Sequence, residues 1–178
     1  MSASKPKSVL EIFLQPGEIY FGDEETRIRT LLGSCISITL WHPRLKIGGM
    51  CHYMLPNRGQ LASENHALDG RYADEAIALL MKEIERSRTK PSEYEVKLFG
   101  GGTMFLPKAV RSERTLLSRN GARPGVAPRN VDAARTLLRT YGLILKTEQV
   151  GGNGRRYVIF DIWSGHVWVR QNKLDEAA

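Results

Sequence analysis

The sequence is poor in cysteine: its 178 residues contain only Cys35 and Cys51, and this shortage narrows the field at once. Two cysteines cannot build the disulfide framework of a small secreted scaffold or an all-cysteine zinc site. Together with the four histidines they also lack the short paired spacings of a mixed zinc site. No uninterrupted apolar run approaches the roughly 18 residues of a membrane span, so membrane insertion is not expected. The lysine-bearing start, Met1 to Ser8, is followed by no hydrophobic stretch, and no secretory signal is read there. The expected compartment is a reducing cytoplasm. Internal repeats and low-complexity tracts are missing as well. Acidic residues are outnumbered, 19 Asp+Glu against 26 Lys+Arg, for a net charge of +7. That excess calls for an acidic partner and makes nucleic acid a candidate. The remainder is ordinary, with 42% apolar and 25% charged residues, which excludes a disordered or collagen-like chain. The length suits a single domain with a real core.

The periodicities divide the chain into elements. Residues 1–9 read as a loose arm, and Gln15-Pro16-Gly17-Glu18 as a turn. From Ile28 to Trp41 the pattern is extended, interrupted at Gly33-Ser34, and Ile36, Ile38 and Leu40 alternate with Ser37, Thr39 and Trp41. A turn around Pro43 leads to a second extended run, Ile47 to Leu55, so the two runs read as a hairpin. Tyr72, Ala73, Ala76, Ile77, Leu80 and Ile84 recur at helical spacing and predict a helix over 71–88. Tyr94–Phe99 is a short strand running into Gly100-Gly101-Gly102. A second helix is expected over Val131–Tyr141, with Asn130 as N-cap and Gly142 just past its end. Leu143–Val150, Arg155–Ile162 and His166–Gln171 read as strands. The expected class is α+β, a layered α/β sandwich with a mixed, largely antiparallel sheet and two main helices. One domain over 10–172 is expected, followed by a tail at 173–178.

Charge is uneven. Residues 106–129 carry Lys108, Arg111, Arg114, Arg119, Arg123 and Arg129 against Glu113, a net +5 of the chain's +7. With Pro107, Pro124 and Pro128 and no clear period, this stretch reads as a basic loop insertion. Nucleic-acid binding would want stacking aromatics or a groove-reading helix, and only Phe105 stands at its edge.

Chemistry points elsewhere. Cys35 follows a Gly33-Ser34 step at the start of a strand, and His52 comes seventeen residues later. If the hairpin loop is the four residues 42–45, paired numbers sum to 87 and Cys35 faces His52, with Cβ atoms about 5 Å apart. A five-residue loop would put the two on opposite faces. The register that joins Cys35 to His52 turns Cys51 away, so a Cys35–Cys51 disulfide and a Cys35–His52 dyad exclude one another. Taken alone, Cys35 reads more simply as a small buried hydrophobe, and His52 as a satisfied core histidine. Taken together they suit nucleophilic acyl transfer. A free thiol is only a few per cent thiolate at neutral pH and needs an imidazole to activate it. Thr30 could hold the imidazole's other nitrogen, and N–H groups around Gly33, Ser34 and Cys35 could stabilise an oxyanion.

The ordered runs Thr30-Leu-Leu-Gly-Ser-Cys35, Gly48-Gly-Met-Cys-His52-Tyr-Met-Leu-Pro56, Lys97-Leu-Phe-Gly-Gly-Gly-Thr-Met104, Asn130-Val131, Val150-Gly-Gly-Asn-Gly-Arg155 and Ser164-Gly-His-Val-Trp-Val-Arg170 resemble the bacterial chemoreceptor glutamine deamidase family, CheD. The resemblance spans about residues 12–171. It implies a layered α/β sandwich and a protein-glutamine glutaminase that converts glutamines of methyl-accepting chemotaxis receptors to glutamate with release of ammonia. It implies Cys35 as nucleophile, His52 as general base and acid, and Thr30 as the third member. In some bacteria family members also bind a CheC-type phosphatase. Neither metal nor cofactor is implied. Phe99, Gly100, Gly101, Gly152 and Asn153 are candidates for a substrate-binding rim, and tight-turn geometry is the competing reading of the glycines. Two other classes remain beside the enzyme: a receptor- or phosphatase-docking protein, and a nucleic-acid module centred on 106–129.

Overall fold

Alternation along the strand that follows Cys35 sends Ile36, Ile38 and Leu40 to one side and Ser37, Thr39 and Trp41 to the other, and both sides are covered. The computed structural model describes residues 4–59, 67–104 and 125–172. In chain order the elements are β1 (Leu10–Phe13), β2 (Ile19–Gly22), β3 (Thr26–Leu32), β4 (Ile36–His42), β5 (Ile47–Cys51), α1 (Ala73–Arg86), a 3₁₀ turn (Pro91–Glu93), β6 (Glu95–Gly100), α2 (Val126–Thr140), β7 (Leu145–Val150), β8 (Arg155–Asp161) and β9 (His166–Asn172). The strands make two sheets, in the orders β2-β5-β4-β6-β7 and β1-β3-β8-β9. Pairing is antiparallel except for β1 with β3 and β6 with β7.

These sheets and helices stack in three layers. Ile36, Ile38, Leu40, Val96 and Leu98 of the five-stranded sheet pack against Ala76, Ile77, Leu80 and Ile84 of α1 and Val131, Ala134 and Leu138 of α2. On its other face Met50 and Phe99 meet Ile28, Leu32, Val158 and Phe160 of the four-stranded sheet. The layered α+β class stands, with one correction: there are two sheets where a single one was expected. The Gly33-Ser34 interruption is the reason, because it is where the chain leaves one sheet (β3) and enters the other (β4). Two amphipathic sheets can then bury their inner faces against each other. Strands β1 and β2 were not anticipated. Each is four residues long at the end of a sheet, too short for alternation to register.

The second helix begins five residues earlier than its apolar spacing suggests. Asn130 is therefore inside α2 and Gly125 precedes its first turn. Pro128 is tolerated because it is the third helical residue, where an amide has no intrahelical acceptor to lose. The end agrees with the sequence reading. Gly142 adopts φ +68, its N–H reaches the Arg139 carbonyl at 3.1 Å, and the Leu143 N–H reaches the Leu138 carbonyl at 2.9 Å. This is the two-bond Schellman closure that glycine permits. Of the expected basic loop 106–129, residues up to 124 lie outside the described residues, and 126–129 belong to α2. Residues 1–3 of the arm and the 173–178 tail also lie outside. Among the described residues no helix is long and apolar enough to cross a membrane.

Candidate active site

The β4–β5 hairpin decides which side chains meet. Its loop does hold four residues, but they are 43–46, closed by Lys46 at φ +50. Trp41 pairs with Gly48 and His42 with Ile47, so paired numbers sum to 89 and not to the expected 87. His42 joins the strand because its ring Nδ1 accepts the Leu45 N–H at 3.3 Å, and the Lys46 N–H donates to the His42 carbonyl at 2.8 Å. The ladder ends in a bridge between Ile36 and Tyr53 with both hydrogen bonds made, at 3.0 and 2.9 Å. Cys35 therefore flanks Met54, and His52 is its diagonal neighbour. A slip of two leaves face parity unchanged, so Cys35 and His52 still share the inter-sheet side. Cys51 points the other way, into the helix-side core, while Cys35 is half-buried against the inter-sheet core. Both thiols are free.

Thr30 reaches His52 from the opposite sheet. It sits on the inner face of β3, fully buried, with its Oγ1 2.8 Å from His52 Nδ1 and 2.8 Å from the Leu14 carbonyl oxygen. A hydroxyl has one proton. The Leu14 carbonyl can only accept, so Thr30 donates to Leu14 and accepts from Nδ1–H. This fixes the ring's tautomer: Nε2 carries the lone pair. That Nε2 is buried and has no hydrogen-bond partner among the described residues. The backbone of His52 is held as firmly, since its N–H donates to the Glu18 carbonyl (3.0 Å) and its carbonyl accepts the Gly17 N–H (2.7 Å). The expected Gln15–Glu18 turn thus clamps the histidine.

Burial governs both protonation states. It pushes the Cys35 thiol up from its ordinary value, opposed by the residue's own backbone N–H. It pushes the His52 imidazole down, opposed by the Leu14 carbonyl and the Glu18 charge. The resting pair is therefore neutral thiol and neutral imidazole, and no hydrogen bond joins them. Such a pair makes a thiolate only when a proton moves to Nε2.

The loops around Cys35 are tightly fastened. Gly101 N–H donates to the Cys35 carbonyl (2.9 Å) and Gly102 N–H to the Gly33 carbonyl (2.8 Å). Gly100 adopts φ +114, and a Cβ there would lie 2.1 Å from the Cys35 carbonyl oxygen, so only glycine fits. The Ser34 and Cys35 N–H groups donate to no carbonyl among the described residues. Gly152 and Asn153 are exposed and fasten Thr103, through a 2.8 Å bond to the Gly152 carbonyl and a bridge to Asn153. Phe99 is not at a rim: it is 2% exposed, inside the inter-sheet core.

Two residues that sequence reasoning missed complete the frame. Asn130 is fully buried in α2, and its Nδ2 donates to the carbonyls of Ser34 (3.2 Å) and Met54 (2.7 Å). It ties the cysteine segment to the segment after His52. Arg156 is buried on β8, donating to the Gly100 carbonyl (3.2 Å) and the Gly151 carbonyl, with burial pushing its pKa down. Asn130 stood in the sequence only as an expected cap and in the Asn130-Val131 motif, and Arg156 only as the second of two arginines after a glycine turn. Among the described residues no three His, Cys, Asp or Glu side chains cluster as metal ligands would.

A family model described as CheD chemotactic sensory transduction matches residues 54–171. Curated relatives extend further. "Probable chemoreceptor glutamine deamidase CheD 3" of Dechloromonas aromatica is 48% identical over 169 residues, 95% of this chain and 91% of that protein. "Probable chemoreceptor glutamine deamidase CheD" of Pseudomonas syringae pv. tomato is 45% identical over 171 residues, 96% of this chain and 95% of that protein. A Leptospira interrogans relative, "Probable chemoreceptor glutamine deamidase CheD 1", is 36% identical over 94% of this chain and 96% of its own length. Matches of that extent reach across the Thr30–His52 segment that the family model leaves out. The ordered motifs, the model match and these near-full-length identities agree, and the chain belongs to the CheD family.

Proposed function

We propose that the chain is a protein-glutamine deamidase that converts selected glutamines of methyl-accepting chemoreceptors to glutamate and releases ammonia, with Cys35 as nucleophile, His52 as general base and acid, and Thr30 orienting His52. The observation that carries this reading is the committed Thr30 proton, which leaves His52 Nε2 basic, buried and unpartnered on the side of the sheet where Cys35 lies. In the first step Nε2 takes the thiol proton as Sγ bonds to the amide carbon. The carbonyl electron pair moves onto oxygen, where the N–H groups of Ser34 and Cys35 can receive it. Collapse breaks the C–N bond, and His52 passes its proton to the leaving nitrogen, which departs as ammonia. Water then attacks the thioester carbon and gives a proton to His52. The C–S bond breaks, the thiol is reprotonated, and glutamate remains. Thr30 is neutral and stabilises imidazolium less than a carboxylate would, which suits a base that must return its proton.

A CheC-type phosphatase seated on the same face would compete with the receptor for it. The decisive experiment is mass spectrometry of a receptor cytoplasmic fragment incubated with wild type and with Cys35→Ala. Wild type is expected to give the amide-to-acid change, and the variant none while keeping its circular dichroism spectrum. Equal conversion by the two proteins would overturn the reading.

A further inference from the structure

The turn that clamps His52 also brings a carboxylate to it. Pro16 and Gly17 hold its two central positions, with Gly17 at φ +92 and the Glu18 N–H donating to the Gln15 carbonyl at 3.0 Å. Proline followed by a glycine of positive φ suits a type II turn. The Gly17 N–H donates to the His52 carbonyl and the His52 N–H to the Glu18 carbonyl, so two residues of one strand oppose a single residue of the other. This is a bulge with glycine in its first position, and it leaves Glu18 opposite His52. Beyond it the ladder is regular: Ile19 pairs with Cys51 and Tyr20 with Met50. Ile19 and Cys51 join the helix-side core, and Tyr20 and Met50 the inter-sheet core. Alternation back from these pairs turns Glu18 and His52 together to the inter-sheet side, as cross-strand neighbours with Cβ atoms about 5 Å apart. The Glu18 carboxylate is fastened there, because its Oε2 accepts the Gln15 N–H at 2.7 Å.

We propose that Glu18 is a positioning residue for the proton on His52: its fixed negative charge, acting through space across the ladder, favours the protonated ring once Nε2 has taken a proton. Thr30 selects the tautomer but is neutral, and Glu18 supplies part of the charge that a hydroxyl cannot. No hydrogen bond joins Glu18 to either ring nitrogen, since Nδ1 meets Thr30 and Nε2 is unpartnered among the described residues. The other groups around the ring leave this role to Glu18. Thr30 on β3 and Tyr20 on β2 present hydroxyls, and Cys35 before β4 is a neutral thiol at rest. The Arg71 side chain lies against Gly17, with its guanidinium taken by the Asp69 carboxylate at 2.8 Å. Burial disfavours the charged ring, and the Leu14 carbonyl and the Glu18 charge oppose it. The use of this charge in turnover rests on the deamidase reading above, whereas its action on the ring does not.

The test is the titration of the His52 ring by NMR in the full chain, for wild type, Glu18→Gln and Glu18→Asp, with its signals assigned by their absence in His52→Gln. Glutamine keeps an oxygen for the Gln15 N–H and removes only the charge. Its midpoint should lie about 0.5 of a pH unit below that of wild type, roughly a threefold weaker hold on the proton. Because Glu18 is exposed, the difference should shrink by about half or more in 1 M salt. Glu18→Asp should titrate closer to wild type than Glu18→Gln does. On a receptor cytoplasmic fragment, the acid limb of kcat/KM in Glu18→Gln should move down with the ring. A Glu18→Gln midpoint equal to or above that of wild type would overturn the proposal. So would a difference that salt leaves untouched, or one that Glu18→Asp shares in full, since either would point to a lost hydrogen bond or a disturbed turn. If wild type releases no ammonia from the fragment, the deamidase reading falls, and the ring titration still decides what Glu18 does.

Discussion

On the helix side of the five-stranded sheet, Ile36, Ile38, Leu40, Cys51 and Tyr53 meet α1 and α2 in a mainly apolar core, where the Tyr53 hydroxyl donates to the Asn130 carbonyl. On the inter-sheet side, Thr30, Ser37, Thr39 and His52 are buried among Ile28, Met50, Phe99 and Phe160. The two thiols show what this difference does. Burial in the helix-side core pushes the Cys51 thiol up to about 12, and its role there is packing. Cys35 is also pushed up, but it stands at the open end of the polar layer, near an imidazole whose free nitrogen has been chosen by Thr30. Burying polar groups costs free energy unless they are paired. Here Nδ1 is paired, while Nε2 and, in the same layer, Ser37 Oγ have no partner among the described residues.

The comparison can be broken most forcefully from the helix side. Leu80→Ala opens a cavity under α1 and should cost about 2–5 kcal/mol of stability. Denaturant titration reads that loss, and kcat per folded molecule should stay at the wild-type value. A fall in kcat would mean that the two layers are not separable. Thr30→Val probes the other side. It leaves the Leu14 carbonyl and His52 Nδ1 unpaired, for about 1–3 kcal/mol, and should lower kcat about 10–100-fold through a misoriented ring. Thr30→Ser should retain most activity, since it keeps the hydroxyl; full activity in Thr30→Val would remove the orienting role.

The smallest effect is on pH dependence. His52 has a folded-state pKa below 6.5, so the unfolded chain takes up its proton first as pH falls. Stability is therefore undiminished above pH 6.5, declines below it, and levels off beneath the folded value. If His52 is the general base it must be neutral to act, so the acid limb of kcat/KM should have its midpoint below 6.5. A midpoint above 6.5 would show that a partner charge, not burial, governs the ring.

Much of this was legible in the sequence because it was local. The 3.6-residue spacing of Ala73 to Ile84 marks α1, period two marks β4, and Gly142 marks the end of α2. Cys35 and His52 share a face although the register differs from the expected one, because a slip of two residues preserves parity. What escaped notice depended on distant partners. The early start of α2 turned Asn130 from an expected cap into a brace between two loops, and no periodicity could announce that. Phe99 looked like a rim residue beside three glycines, but the second sheet covers it.

By itself, then, the sequence determined the residue types, the order of the main elements and the opposite facing of Cys51 and His52, which are neighbours on one strand, since alternation along a strand is a property of the backbone. Only the tertiary structure decided that the cysteine-poor chain holds its thiols in two different layers. It also decided that Thr30, twenty-two residues before His52 and in another sheet, gives its single proton to Leu14 and so determines which nitrogen of the ring is basic. That choice rests on one hydroxyl proton and two acceptors meeting in space, and nothing in residue spacing carries it.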